Sequence, residues 1–196
     1  MPIYRSLMGV NRYVAPATGI RAIFGYGQNS SYTAVSLTNL VSDTGVVASD
    51  VSGVGTSRLA LAASSYSSDK AIFGYGFDGS AFVSMTNLVN NTGVVASDVS
   101  GVGTSRYGLA AAKYSSDKAI FGYGTDGSYF AVSMTNLVSN TGVVASDVSG
   151  VGTSRYYLTA SSYSSDKAIF GYGFTGSAVS MTNLVNNTGV VASDVS

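Results

Sequence analysis

The 196-residue chain contains no cysteine, no histidine and no glutamate. Without cysteine it forms no disulfide and no thiolate metal site. Without histidine it lacks the commonest general base and the commonest zinc ligand. Charge is sparse as well. Ten basic residues balance ten acidic ones, all aspartate, and leave no net field to draw nucleic acid or an anionic membrane. No apolar run approaches the roughly 18 residues of a membrane span. The opening "MPIYRSLMGVNRYVAPATGI" has arginines but no unbroken apolar segment of the kind a signal peptide needs. The expectation is a chain made in the cytosol, with no cofactor, no metal and no catalytic constellation, and hence not an enzyme. An extracellular role would require release by lysis or by a dedicated route.

What the chain does have is glycine, 24 residues of it, together with abundant serine, threonine and asparagine. That composition is poor material for long helices and good material for strands and turns. Internal repetition is the dominant signal. "TGVVASDVSGVGTSR" runs from Thr44 to Arg58, from Thr92 to Arg106 and from Thr141 to Arg155, and a further copy opens at Thr188 and reaches Ser196. "AIFGYG" recurs at Ala22, Ala71, Ala119 and Ala168, at spacings of 49, 48 and 49. A period of about 48 is too long for a leucine-rich or β-helix rung and suits one propeller blade.

Each copy divides into four strand-like runs. In the third copy they are "RYGLAAAKY", "KAIFGYG", "YFAVSMTNLV" and "TGVVASDVS", joined by the turn-forming "YSSDK", "TDGS" and "SNTG". "AVSMTNL" alternates, with Val132, Met134 and Asn136 on one face, which is a strand period and not a helical one. The reading is a single all-β repeat domain over 1–196, a β-propeller of four-stranded blades at approximately 8–52, 53–100, 101–149 and 150–196. The first strand of each blade, rich in alanine, is expected to lie innermost. The hairpins after "GYG" and the "SGVGTS" links are expected at one end of the blades, with the "YSSDK" and "NTG" turns at the other.

This order of arginine, small apolar strand, turn, "KAIFGYG", "DGS" hairpin, strand, "NTG" turn and strand resembles the kelch repeat over nearly the whole chain. The resemblance implies one four-stranded propeller blade per copy, its second strand ending in a glycine doublet. Here a tyrosine splits the doublet, as in Gly74 and Gly76 or Gly122 and Gly124. The near-identical wording of the copies also resembles repeat proteins of bacteriophage virions of the tail-fibre type.

Asp50 precedes Arg58 by eight residues, as Asp98 precedes Arg106 and Asp147 precedes Arg155. That spacing predicts a clamp across the link between copies, because a planar guanidinium holds carboxylate and backbone oxygens together. The fourth copy lacks the "GVGTSR" that follows "SDVS" elsewhere, while "MGVNRY" near the start is similar to it. Arg12 is therefore expected to take toward Asp194 the role that Arg58 takes toward Asp50, closing a four-bladed ring. The same ends, joined head to tail between two chains, would give an eight-bladed homodimer.

"GYGFDG" at Gly74 and its counterparts match the dinucleotide fingerprint G-x-G-x-x-G, which works only where it opens a helix. The residues that follow read as a strand, so the glycines are assigned to turning and to close backbone approach. Asp78 and Asp126 stand alone in hairpins and are assigned to turns, not to calcium. The tyrosines of "GYG" recur once per copy and are assigned to packing. What varies among the copies is the hairpin after "GYG", where Tyr32, Phe77, Phe82, Tyr129, Phe130 and Phe174 collect. Loops on a rigid scaffold carry binding, and aromatic rings at their tips stack on sugars or anchor protein contacts. These six are the candidate ligand-binding residues. The functional expectation is a non-enzymatic binding module of a virion or extracellular surface, recognising a glycan or a surface protein. The alternative is a structural virion or filament subunit whose loops mediate self-assembly.

Overall fold

Short alternating runs bounded by Asn, Asp, Gly and Ser turn each copy into a small antiparallel meander. The computed structural model describes residues 20–196, and these contain strands and turns but no helix. In the first copy β1 (Ile20–Gly25) pairs with β2 (Thr38–Ser42). In the second, β4 (Lys70–Gly74) lies between β3 (Ala62–Tyr66) and β5 (Thr86–Val89). The third copy begins with β6 (Arg106–Tyr107) and β7 (Ala110–Tyr114). It continues through β8 (Lys118–Gly122), β9 (Thr125–Asp126) and β10 (Thr135–Val138), with β8 between β7 and β10. In the fourth, β12 (Lys167–Gly171) lies between β11 (Thr159–Tyr163) and β13 (Thr182–Val185). Register repeats too: Ala62 faces Gly74, Ala110 faces Gly122, and Thr159 faces Gly171.

The first and fourth runs depart from continuous strands. The first breaks at a left-handed residue, Ala60, Gly108 or Tyr157, with φ of 48°, 62° and 51°. The break frees Arg106 and Tyr107 to leave β7 and pair with β9 in the following hairpin. A backbone ladder between copies holds the turn, Gly108 N donating to Ala60 O at 3.0 Å and Tyr157 N to Gly108 O at 2.8 Å. The fourth run pairs only at its ends, through bridges such as Val89 to Val95 and Thr86 to Val99. Between them the Asn87 side chain takes the Ala96 carbonyl and the Asp98 carboxylate, at 3.0 and 2.8 Å.

Copies stack on one another through the "IFGYG" strands, while the first strands β3, β7 and β11 lie side by side in that order. In the second, third and fourth copies the phenylalanine of "IFG" packs on the tyrosine of the preceding copy: Tyr26 with Phe73, Tyr75 with Phe121 and Tyr123 with Phe170 all have centroids 5.1 Å apart. A Cβ at Gly74 or Gly122 would stand 2.7 Å from the Cζ of the next copy's phenylalanine. Only glycine admits that approach. The "GYG" glycines thus serve close packing, and a strand or hairpin follows each of them.

The expected clamp between Asp50 and Arg58 does not form. Arg58 is wholly buried; its Nη1 donates to the Met85 and Tyr75 carbonyls at 2.8 and 3.3 Å, and its Nη2 to Asn87 Oδ1. Asn87 in turn donates to Asp98, whose Oδ2 accepts from Thr56 N and Oγ1 at 2.9 and 2.7 Å. The third copy repeats this with Arg106, Asn136, Asp147 and Thr104, and the fourth with Arg155, Asn183, Asp194 and Thr153. A link is therefore bonded by the aspartate 41 to 43 residues after its threonine. The meander explains this, since its last run returns beside the link that opened the same copy. Asp50 accepts from Asn39 Nδ2 at 2.7 Å instead. Asp194 is held within its own copy by Thr153, Asn183 and Arg155; the pair expected between Asp194 and Arg12 lies outside the described residues.

Candidate binding site

The two ends of the sheets differ as their turn chemistry predicts. At one end Asp117 Oδ2 accepts from Asn140 Nδ2 at 3.0 Å, joining a "YSSDK" turn to a "SNTG" turn. At the other, the residue after each buried arginine pairs with the hairpin after "GYG": Leu59 with Phe77, Tyr107 with Thr125 and Tyr156 with Phe174. Links and variable hairpins thus share one end, and a cleft of about 530 Å³ opens there, lined by aromatic rings.

Phe82 and Tyr107 stack nearly parallel, 5.2 Å between centroids and 11° between planes. Tyr129 meets the edge of Phe82 at 5.1 Å, and Phe77 meets it at 5.8 Å. On the far side Tyr157 lies edge-on to Tyr107 at 5.5 Å, and their hydroxyls share a hydrogen bond. The positive φ at Tyr157 throws its ring across Gly108, where a Cβ would stand 3.0 Å from Tyr157 Cδ1. Burial, and then the bond to Tyr107, push the Tyr157 phenol up to about 12, so it stays protonated at neutral pH.

Of the six sequence candidates, Phe77, Phe82 and Tyr129 line the cleft. Phe174 reaches its margin by packing on Tyr156 at 5.6 Å. Tyr32 and Phe130 are exposed elsewhere on the hairpin tips. Tyr107, Tyr156 and Tyr157 were not among the candidates. A signal for them existed in the positions after the arginine, which read Leu59-Ala60, Tyr107-Gly108 and Tyr156-Tyr157 in otherwise repeated copies.

The cleft offers apolar ring faces and phenol hydroxyls. The nearby hairpin carboxylates are occupied with their own turns. Asp78 Oδ1 accepts from Ala81 N and Ser80 N at 2.8 Å, bonds that hold its carboxyl below the ordinary range. Asp126 Oδ1 accepts from Ser128 N and Phe130 N. Among the described residues no acidic cluster of metal-binding type occurs. No protein-family model matches the chain, and no curated protein matches it.

Proposed function

We propose that this protein is a non-enzymatic binding module of a virion or other extracellular surface, and that a glycan is its ligand. The observation that carries the reading is the ring-lined cleft, three of whose rings come from the hairpins that vary among otherwise repeated copies. Its volume falls within the range of about 300–1,000 Å³ typical of small-ligand pockets. Stacked rings suit the apolar faces of sugars, and the hydroxyls of Tyr107 and Tyr157 suit those of a sugar.

The sheets are read as propeller-type blades, four to the chain. The nesting of each phenylalanine on the preceding glycine and tyrosine, and the run of first strands side by side, support that reading. A closed propeller, of four blades or of eight from two chains, requires partners for the first and last blades.

The test is glycan-array binding of the purified chain and two single variants. Tyr129→Ala should weaken binding about tenfold or more, consistent with loss of ~1.4 kcal/mol or more. Phe130→Ala, exposed and outside the cleft, should leave it unchanged. Equal losses in both variants, or no bound glycan, overturn the proposal. Exposed Tyr32 and Phe130 favour a second reading, a structural subunit assembled through its loops. It expects Phe130→Ala to reduce self-association.

A further inference from the structure

We infer that the two end faces of the stack dock a second copy of this chain, head to tail. The inference does not rest on the ligand cleft. It rests on what covers the same faces inside the molecule.

On the trailing side of each inner copy, one set of groups receives the next copy. The tyrosine of "GYG" donates its hydroxyl to the next link, Tyr75 to Val102 O at 3.2 Å and Tyr123 to Val151 O at 3.1 Å. The following glycine donates to the next arginine, Gly76 N to Arg106 O at 2.8 Å and Gly124 N to Arg155 O at 2.9 Å. A turn serine donates to the next turn, Ser67 N to Asp117 O and Ser115 N to Asp166 O, both at 2.7 Å. Tyr66 and Leu88 seat the turn at Gly142, as Tyr114 and Leu137 seat the turn at Gly189.

The fourth copy presents the same groups uncovered. Tyr172 is 61 % exposed, whereas Tyr75 and Tyr123 are wholly buried. Tyr163 is 37 % exposed against 2 % for Tyr66 and Tyr114. Leu184 is exposed, and Gly173 N and Ser164 N have no backbone acceptor among the described residues. The leading side of the first copy shows the complementary surface. Phe24 is 62 % exposed where Phe121 and Phe170 are wholly buried, and Val47 is 54 % exposed where Val95, Val144 and Val191 are below 10 %. Phe24 can therefore sit on Gly171 and Tyr172 of another copy as Phe73 sits on Gly25 and Tyr26, with Val47 beside Tyr163 and Leu184. The contact is heterologous, since the two faces differ, and each copy offers both.

Gly171 supplies the test. A Cβ there meets only Thr182 Cγ2 at 3.5 Å, an ordinary contact, but it would occupy the space of an incoming phenylalanine. Sedimentation of the purified chain should show concentration-dependent oligomers. Gly171→Ala blocks one face and Phe24→Ala empties the other, so each alone should associate at least about tenfold more weakly while melting at the parent temperature. Val47→Ser is the second variant of the leading face. Mixed, Gly171→Ala and Phe24→Ala each retain one sound and opposite face, and they should pair one to one. A chain that stays monomeric, variants that associate like the parent, or a mixture that fails to pair would overturn the inference.

Discussion

The guanidinium of Arg106 lies over the ring of Tyr75, 4.7 Å from its centroid, although the two residues belong to successive copies. Arg58 over Tyr26 at 4.7 Å and Arg155 over Tyr123 at 4.4 Å repeat the contact. The arginine is thus the point where the internal bonds of one copy meet the surface of its neighbour. Burial lowers the Arg106 pKa, yet a guanidinium stays charged throughout the accessible range, so the charge must be met by its surroundings.

Arg106→Ala should cost about 3–5 kcal/mol in a urea unfolding experiment, the usual penalty for breaking a buried charged network from one side. It leaves Asn136 and the Met134 and Tyr123 carbonyls without their donor. A loss of ~0.5 kcal/mol, the size of an ordinary surface substitution, would show that the network carries no stability.

Acid should weaken the fold through the aspartates that hold the links. Burial alone would raise the carboxyls of Asp98, Asp147 and Asp194. The bonds from asparagine and threonine and the arginine charge outweigh it and hold all three below their ordinary value. Their contribution is complete above the unfolded pKa of about 3.9 and is lost as pH falls from there through the folded values. Stability measured against pH should therefore fall below about pH 4. In Asp147→Asn the drop should be shallower; an unchanged slope would remove Asp147 from the account.

Alkali should act from the other side. Burial pushes the Tyr123 phenol up to about 12, and burial with the Tyr107 bond does the same for Tyr157. A raised acid stabilises the fold below its unfolded pKa of about 10 and loses that contribution as pH rises through the folded value. Tyr107→Phe should lower the Tyr157 pKa toward 10, read from the titration of labelled tyrosine ring carbons. An unmoved resonance would assign the whole shift to burial.

Gly122→Ala should destabilise by about 1–3 kcal/mol, because its Cβ would overlap the buried Phe170 ring. The same change at Gly171, where a Cβ meets only Thr182 Cγ2 at 3.5 Å, should leave the melting temperature unchanged. Equal effects at the two positions would mean that phenylalanine nesting does not set the glycine requirement.

The all-β character, the three paired strands of the inner copies and the sharing of one end by hairpins and links were legible in the sequence. Each depends on alternation and turn residues only a few positions apart. The aspartate that binds each link was not legible. Asp98 and Thr56 are 42 residues apart, and the eight-residue spacing of Asp50 and Arg58 pointed to the wrong neighbour. Only the return of the fourth run decides between them. The cleft was half legible: variation in the hairpins revealed Phe77, Phe82 and Tyr129. Tyr107 and Tyr157 were hidden in a run that reads as one strand: Gly108 marks the left-handed turn in the third copy, but Ala60 and Tyr157 occupy the same position without a glycine.

The bond between Thr104 and Asp147, closed inside one copy, bears on how such a gene changes length. Loss of one period, residues 101–149, would place Ser100 before Gly150 and restore "SDVSGVGTSR" across the join. Tyr75 would then meet Arg155 and Phe170 in place of Arg106 and Phe121, and its hydroxyl and Gly76 N would face the Val151 and Arg155 carbonyls that Tyr123 and Gly124 now bond. Unequal exchange between near-identical gene segments removes or adds whole periods of this sort. In this architecture such an exchange keeps the contacts between copies in kind, so a shorter or longer stack is expected to fold without compensating substitution.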